Sequence, residues 1–120
     1  MRPRKGQDIA DRLLDSIAGV KQLLPDLQRD AASRHLADQL WRAASSGGAN
    51  YEEARGAESR ADFVHKIRVA TKELREAHYW MQVARRSNCV GPDADPLIDE
   101  FNQLIAILVA SARTARSRGS

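Results

Sequence analysis

The histidines and the single cysteine are the residues in this sequence that most readily bind metals or act in catalysis. His35, His65 and His78 show neither the His-x-x-x-His nor the Glu-x-x-His spacing that places metal ligands on one helix face. Cys89 has no base or cationic helix end near it in the sequence that would activate its thiol. These residues therefore predict no metal site, no cofactor and no nucleophile.

The carboxylates do not form a catalytic pair either. Glu52 and Glu53 are adjacent, so their side chains cannot face each other on a helix. Turn chemistry and the capping of a following helix explain Asp93 and Asp95. Because no set of acid, base, nucleophile or metal ligand converges, we expect a protein that is not an enzyme.

A row of mostly basic side chains is the strongest candidate for a binding surface. If residues 60–86 form a helix, one outward face carries the following row, which we call the basic stripe: His65, Arg68, Lys72, Arg75, Tyr79, Gln82 and Arg86. Together with Arg113 and Arg116, the stripe could contact the phosphates of RNA or DNA. The alternative is an ordinary solvated face whose cations are partly balanced by Asp62, Glu73 and Glu76.

The net charge of +3 arises from the ends of the chain. Residues 1–7 and 113–120 carry six of the 19 basic residues, whereas all 16 acidic residues lie between Asp8 and Glu100. The stretch between the ends is therefore slightly acidic. We expect basic, flexible tails at about 1–7 and 115–120 on either side of a single domain at about 8–114.

No segment of the sequence resembles a secretion signal or a membrane span. The first residues, "MRPRKGQDIADRLL", have no apolar core, and the longest apolar run, "LIAILVA" at 104–110, is too short to cross a bilayer. A single cysteine also excludes an internal disulfide. We expect a cytoplasmic protein that does not contact a membrane.

Four segments repeat their apolar residues at helical spacing. The periodicity predicts helices over about 8–24, 31–56, 60–86 and 96–114. The first segment has an apolar face of Ile9, Leu13, Leu14, Ile17, Val20 and Leu24. The third has a heptad pattern of Phe63, Ile67, Ala70, Leu74, Ala77, Met81 and Ala84. Such patterns are typical of nearly parallel helix axes, so we predict an all-α, antiparallel, up-down-up-down four-helix bundle.

The sequence also contains signals for the ends of these helices. Pro25 follows the first helix, and Ser59 with Asp62 forms a capping box at the start of the third. The segment "SNCVGPDAD" has Asn, Gly and Pro to end that helix. Asp95 is the predicted N-cap of the fourth helix, because Pro96 follows it at the first helical position.

Gly47 and Gly48 interrupt the second predicted helix with two weak helix formers. The apolar spacing continues through them to Tyr51, which favours one helix in which a neighbouring backbone approaches the glycines closely. A break with Asn50 as a new N-cap is the alternative, and a kinked helix is intermediate between the two. In a continuous helix, Asn50 would fix the register of the bundle by a hydrogen bond to another helix.

The tryptophans lie off the predicted helix contacts. Large exposed aromatic residues are enriched at protein interfaces. We therefore predict subunit contacts at Trp80, Trp41 and Val69, with simple packing over the edge of the bundle as the alternative.

Residues 35–84 contain the segments "QLWRAASS", "ANYEEA" and "DFVHKIRVATKELRE". With these segments, the chain resembles the central half of the bacterial four helix bundle proteins known as 23S rRNA intervening-sequence proteins. In the last segment, Phe63, Ala70 and Leu74 keep the apolar spacing of the family, and Glu73 and Glu76 keep its acids. Many members have a proline just before the Ala-Asn pair, where this chain has Gly47-Gly48.

This resemblance implies an antiparallel bundle that assembles into a homopentameric ring and has no enzymatic activity. The chain is also similar to the accessory protein of diversity-generating retroelements, a pentamer thought to bind nucleic acid and a reverse transcriptase. We therefore hypothesise a homo-oligomeric scaffold or adapter that binds RNA or DNA and a nucleic-acid-processing protein. A protein-interaction module that binds no nucleic acid is the alternative.

Overall fold

The computed structural model describes residues 6–118, which form four α-helices. They are α1 (Gln7–Leu23), α2 (Ala31–Arg55), α3 (Arg60–Arg86) and α4 (Asp95–Ser117), with short 3₁₀ helices at Leu24–Leu27 and Pro92–Ala94. Between residues 6 and 118 there is no strand. Consecutive helices pack against each other, α2 and α3 most extensively, and α4 returns to α1. The predicted all-α four-helix bundle is confirmed.

The starts of α2 and α3 are capped by side chains. Asp30 accepts a hydrogen bond from the Ser33 N–H at 2.8 Å, and Ser59 Oγ accepts one from the Asp62 N–H at 3.0 Å. The Asp62 carboxylate accepts from the Glu58 N–H at 3.4 Å, so the predicted capping box is formed in part. These bonds satisfy N–H groups that have no partner within the first turn of a helix.

The prediction that Asp95 caps α4 was wrong. Asp95 is already helical (φ −57°, ψ −42°), because the 3₁₀ helix Pro92–Ala94 leads directly into α4. Its carboxylate instead accepts a hydrogen bond from Arg85 Nε at 2.9 Å. The side chain thus joins the end of α3 to the start of α4. The far end of α4 lies at Ser117, three residues beyond the predicted limit of 114.

Asn88 ends α3 in a left-handed conformation, with φ 61°. The Cys89 N–H donates to the Ala84 carbonyl at 2.9 Å, and the Asn88 N–H donates to the Arg85 carbonyl at 3.3 Å. This pair of bonds is the Schellman arrangement that commonly closes helices. Asparagine tolerates the left-handed region better than most residues, so the local sequence explains the end of the helix.

Helix α2 continues through Gly47 and Gly48, so the predicted continuous helix is confirmed and the alternative break at Asn50 is not formed. A Cβ atom on Gly47 would lie 2.9 Å from Leu74 Cγ and 3.4 Å from Leu74 N, which places the α3 backbone close to the glycine. Asn50 lies inside the helix and donates to the Ser46 carbonyl at 2.9 Å. The predicted bond from Asn50 to another helix is therefore replaced by a bond within α2, because the Ser46 carbonyl lies one turn back.

The bundle core follows most of the predicted apolar positions. The predicted heptad residues of α3 are buried from Ile67 to Ala84, and Phe63 is half-buried. Leu14 was wrongly predicted to face the core, since 65% of it is exposed. Its neighbour Leu13 is buried, and adjacent helical residues point about 100° apart, so only one of the two can face the bundle.

The predicted tails are only partly within the described residues. Residues 115–117 of the predicted C-terminal tail belong to α4. Residues 1–5 and 119–120 lie outside the described part of the chain. The flexible tails therefore remain a prediction from the sequence.

Candidate nucleic-acid interface

The basic stripe lies on the outward face of α3. Six of its members are exposed, and Gln82 is half-buried. The orientation follows from the heptad pattern on the opposite side of the helix, which faces the core. The sequence prediction of an outward row of cations therefore agrees with the structure.

The central part of the stripe meets α4 across a groove of about 400 Å³. Five basic side chains line this groove, which we call the basic groove: Arg68, Lys72, Arg75, Arg113 and Arg116. The structure thus brings together the two sets of cations that were predicted separately on α3 and near the C-terminus. His65 and Arg86 are exposed on α3, but they do not line the groove.

The floor of the basic groove is formed by Thr71, Val109 and Ala112. Thr71 Oγ1 donates to the Ile67 carbonyl of its own helix at 2.8 Å, so its hydroxyl proton is already used. The lining contains no aromatic side chain on which a base could stack. The groove is therefore suited to contacts with phosphates more than with bases.

The acids that were expected to balance the stripe pair with cations that are not members of the stripe. Glu73 and Glu76 both form ion pairs with Arg42 of α2, and Asp62 pairs with Lys66 at 3.4 Å. Within residues 6–118, none of the five groove cations has a hydrogen bond or an ion pair. The predicted partial balance therefore does not extend to the groove, and its positive charge is uncompensated.

His78 adds no charge near the groove at neutral pH. It is half-buried on α3, one turn beyond Arg75. Burial lowers the pKa of His78 from its usual value, because the charged imidazolium loses contact with water. The ring is therefore neutral at pH 7, and the positive potential comes from arginine and lysine.

Residues 9–110 match the family model of the 23S rRNA-intervening sequence protein. The chain belongs to this family. It is also similar to a solved structure from the S23 ribosomal protein family, a protein of unknown function from Bacteroides thetaiotaomicron VPI-5482. The two sequences are 26% identical, the alignment covers 87% of this chain and 97% of the other, and the TM-score is 0.79. Among curated proteins, none matches this chain significantly.

The predicted interface residues of this 23S rRNA-intervening sequence family member lie on α2 and α3. Trp80 and Val69 are half-buried on α3, and the Trp80 ring forms edge contacts with His35 of α2 and with Tyr79. Trp41 is 37% exposed. It lies four and seven residues before Ser45 and Gly48, which face α1. The tryptophans therefore belong to different faces of the bundle.

The alternative to a subunit contact was simple packing over the edge of the bundle. Trp80 supports part of this alternative, because it packs against the core. Its Nε1 atom is buried and has no hydrogen-bond partner among the described residues. Packing at the edge of the bundle thus accounts for much of this side chain. Whether Trp80 also contacts another subunit stays a prediction.

An apolar groove between α1 and α2 was not predicted from the sequence. It has a volume of about 500 Å³, and its lining includes Leu14, Ile17, Ser45, Gly48 and Ala49. The small α2 residues allow the α1 side chains to form the wall of the groove. Leu13 and Leu14 were the sequence signal for this groove. Two adjacent helical residues cannot both point into one core, so one of them had to lie elsewhere.

Neither a clustered metal site nor a membrane span is found in the described region. Across residues 6–118, no three or more His, Cys, Asp or Glu side chains are placed to hold a metal ion. No helix in the same range is long and apolar enough to cross a membrane.

Proposed function

We propose that this protein is a non-catalytic scaffold or adapter that binds RNA or DNA through the basic groove. The observation that carries the proposal is the convergence of five cations from α3 and α4 without an acidic partner in residues 6–118. Uncompensated arginine and lysine side chains bind phosphates and release the counterions of the nucleic acid. The apolar floor and the absence of aromatic lining favour contacts with the backbone over recognition of bases.

The same proposal includes assembly into a homo-oligomeric ring, with five subunits as the family resemblance implies. A closed ring requires two different surfaces on each subunit, since its contacts are head-to-tail. The face with Leu14 of α1 and Trp41 of α2 differs from the face with Val69 and Trp80 of α3, and these two faces would supply the two surfaces. Repeating the basic groove around a ring would strengthen binding to a long polyanion through multivalency.

A nucleic-acid-processing protein is the further partner of this scaffold. Phosphate contacts through the basic groove would leave the apolar faces available for protein contacts. The competing function is a protein-interaction module that binds no nucleic acid, and it is supported by the exposed Leu14 and Trp41.

Fluorescence anisotropy with labelled RNA and DNA duplexes of about 20 base pairs tests phosphate binding. We expect the wild type to bind at about 50 mM salt and much more weakly at about 200 mM. Changing Arg68, Lys72 and Arg75 together to Glu should weaken binding at least about tenfold. It should also lower the slope of log K against log salt by about 2 to 3, because three phosphate contacts are lost.

The matched control changes Lys21, Arg29 and Arg34 together to Glu. These residues are exposed outside the groove, and the control alters the net charge by the same amount. It should keep most of the affinity and most of the salt slope. Equal losses in both triple variants would remove the role of the groove. Absence of wild-type binding at low salt would leave the protein-interaction module as the better hypothesis.

A further inference from the structure

Arg42 of α2 binds two acids of α3, and neither of them lines the basic groove. Its Nη1 atom lies 3.0 Å from Glu73 Oε2, and its Nη2 atom pairs with Glu76 Oε2. The side chains of Glu73 and Glu76 are 16% and 38% exposed, respectively. Arg42 therefore neutralises two carboxylates that are one helical turn apart and would otherwise repel each other.

Glu76 has one alternative cation on its own helix. Residues three and four positions away are its nearest neighbours on α3, and they are Lys72, Glu73, Tyr79 and Trp80. Lys72 is exposed, lines the basic groove and has no partner within residues 6–118. Glu73 has no cation at the corresponding positions, because its neighbours are Val69, Ala70, Glu76 and Ala77.

We propose that Arg42 is a positioning residue for the basic groove, which holds Glu76 against α2 and thereby leaves Lys72 free to contact a phosphate. Without Arg42, repulsion from Glu73 and attraction to Lys72 both turn the Glu76 carboxylate toward the groove. An acid would then neutralise one groove cation and stand near the bound phosphates. The inference rests on the proposed nucleic-acid binding, and it explains how α2 contributes to a surface that it does not line.

The test compares Arg42→Gln with Arg34→Gln, which removes one exposed cation outside the groove. With the duplexes described above, Arg42→Gln should weaken binding about twofold to fivefold more than Arg34→Gln. It should lower the salt slope by about 0.7 to 0.9, the value for one phosphate contact, as Lys72→Gln does. Circular dichroism of each variant checks that the helices and the thermal unfolding transition are retained.

Two double variants separate this mechanism from a general effect of charge. In a Lys72→Gln background, the excess effect of Arg42→Gln over Arg34→Gln should become much smaller, because both the attraction of Glu76 to Lys72 and the neutralisation of Lys72 are lost. Adding Glu76→Gln should raise the affinity of Arg42→Gln several-fold, but it should change the wild type and Arg34→Gln much less. This non-additivity is the coupling that the mechanism requires.

The outcomes distinguish the inference from the proposed function. If the wild type binds and the groove triple variant does not, equal effects of Arg42→Gln and Arg34→Gln overturn the inference alone. An Arg42→Gln effect that persists unchanged without Lys72 also overturns it. If the wild type binds neither duplex at about 50 mM salt, the proposed function fails and the inference fails with it.

Discussion

At the scale of single residues, Gly47 and Gly48 are adjacent in α2 but face different helices. A Cβ atom on Gly47 would lie 2.5 Å from Leu74 Cδ2 and 2.9 Å from Leu74 Cγ, with the Leu74 backbone nitrogen at 3.4 Å. On Gly48, a Cβ atom would overlap the terminal Cδ1 methyl of Ile17, whose side chain borders the groove between α1 and α2. Leu74 is fixed in the core, whereas Ile17 has room to change its rotamer.

We therefore expect different effects from the two alanine substitutions. Gly47→Ala should lower the free energy of unfolding by about 1–2 kcal/mol, because overpacking against Leu74 exceeds the gain in helix propensity. Gly48→Ala should leave it unchanged or raise it by up to about 1 kcal/mol, because the gain in propensity remains and Ile17 can move. Urea denaturation measures both values. Destabilisation of equal size at both positions would contradict the close approach of α3 at Gly47.

At the scale of helices, one ion pair joins α1 to α4. Arg12 donates from Nε to Glu100 Oε2 at 2.8 Å and from Nη2 to Glu100 Oε1 at 2.6 Å. The hydrogen bonds from Arg12 hold the pKa of Glu100 below its usual value. Because the unfolded chain then takes up the proton more readily than the folded one, acid favours unfolding. The contribution is present above a pH of about 4.5 and is lost as the pH falls through the pKa of the folded state.

Glu100→Gln should therefore remove part of the loss of stability in acid. We expect the variant to be less stable than the wild type by about 0.5–1 kcal/mol at pH 7, a modest value because the pair is partly exposed. The difference should disappear at low pH, and urea denaturation at a series of pH values measures it. His78 also makes the protein less stable in acid, but in a separate range below about pH 6.5. The pKa of His78 is lowered by burial, so the unfolded state again binds the proton more readily than the folded state. A constant difference at all pH values would show that Glu100 does not gain stability from ionisation.

At the scale of the whole molecule, the bundle presents a basic groove on one side and apolar residues near α1 and α2 on another. We expect light scattering to give a mass above that of the 13.3 kDa monomer. Leu14→Asp should reduce that mass, because Leu14 is 65% exposed and a charge there would be buried in a contact between subunits. The monomer should remain folded, since the substitution does not enter the core.

Val69→Asp tests the other predicted contact face, which lies on α3, in the same experiment. A head-to-tail ring predicts that either substitution alone prevents closure, because each subunit uses both faces. A monomeric wild type would contradict assembly. An oligomer unaffected by both substitutions would place the contacts elsewhere on the bundle.

The sequence by itself determined the elements and the direction in which most of their residues face. Helical periodicity is local, so the heptad of α3 predicted both its buried side and the outward stripe. Capping at Ser59 and helix termination at Asn88 were likewise predictable, because the bonds join residues close in the chain. The continuous spacing through Gly47 to Tyr51 also favoured the uninterrupted α2 that the structure contains.

Only the tertiary structure decided which charges meet. Arg42 pairs with acids 31 and 34 residues away, and Arg113 and Arg116 join a groove whose other cations lie on α3. These contacts depend on how each helix is rotated and shifted against its neighbours, which periodicity within one helix does not specify. For the same reason, the sequence could not choose between Leu13 and Leu14 for the core, or show that the acids near the stripe would turn away from it.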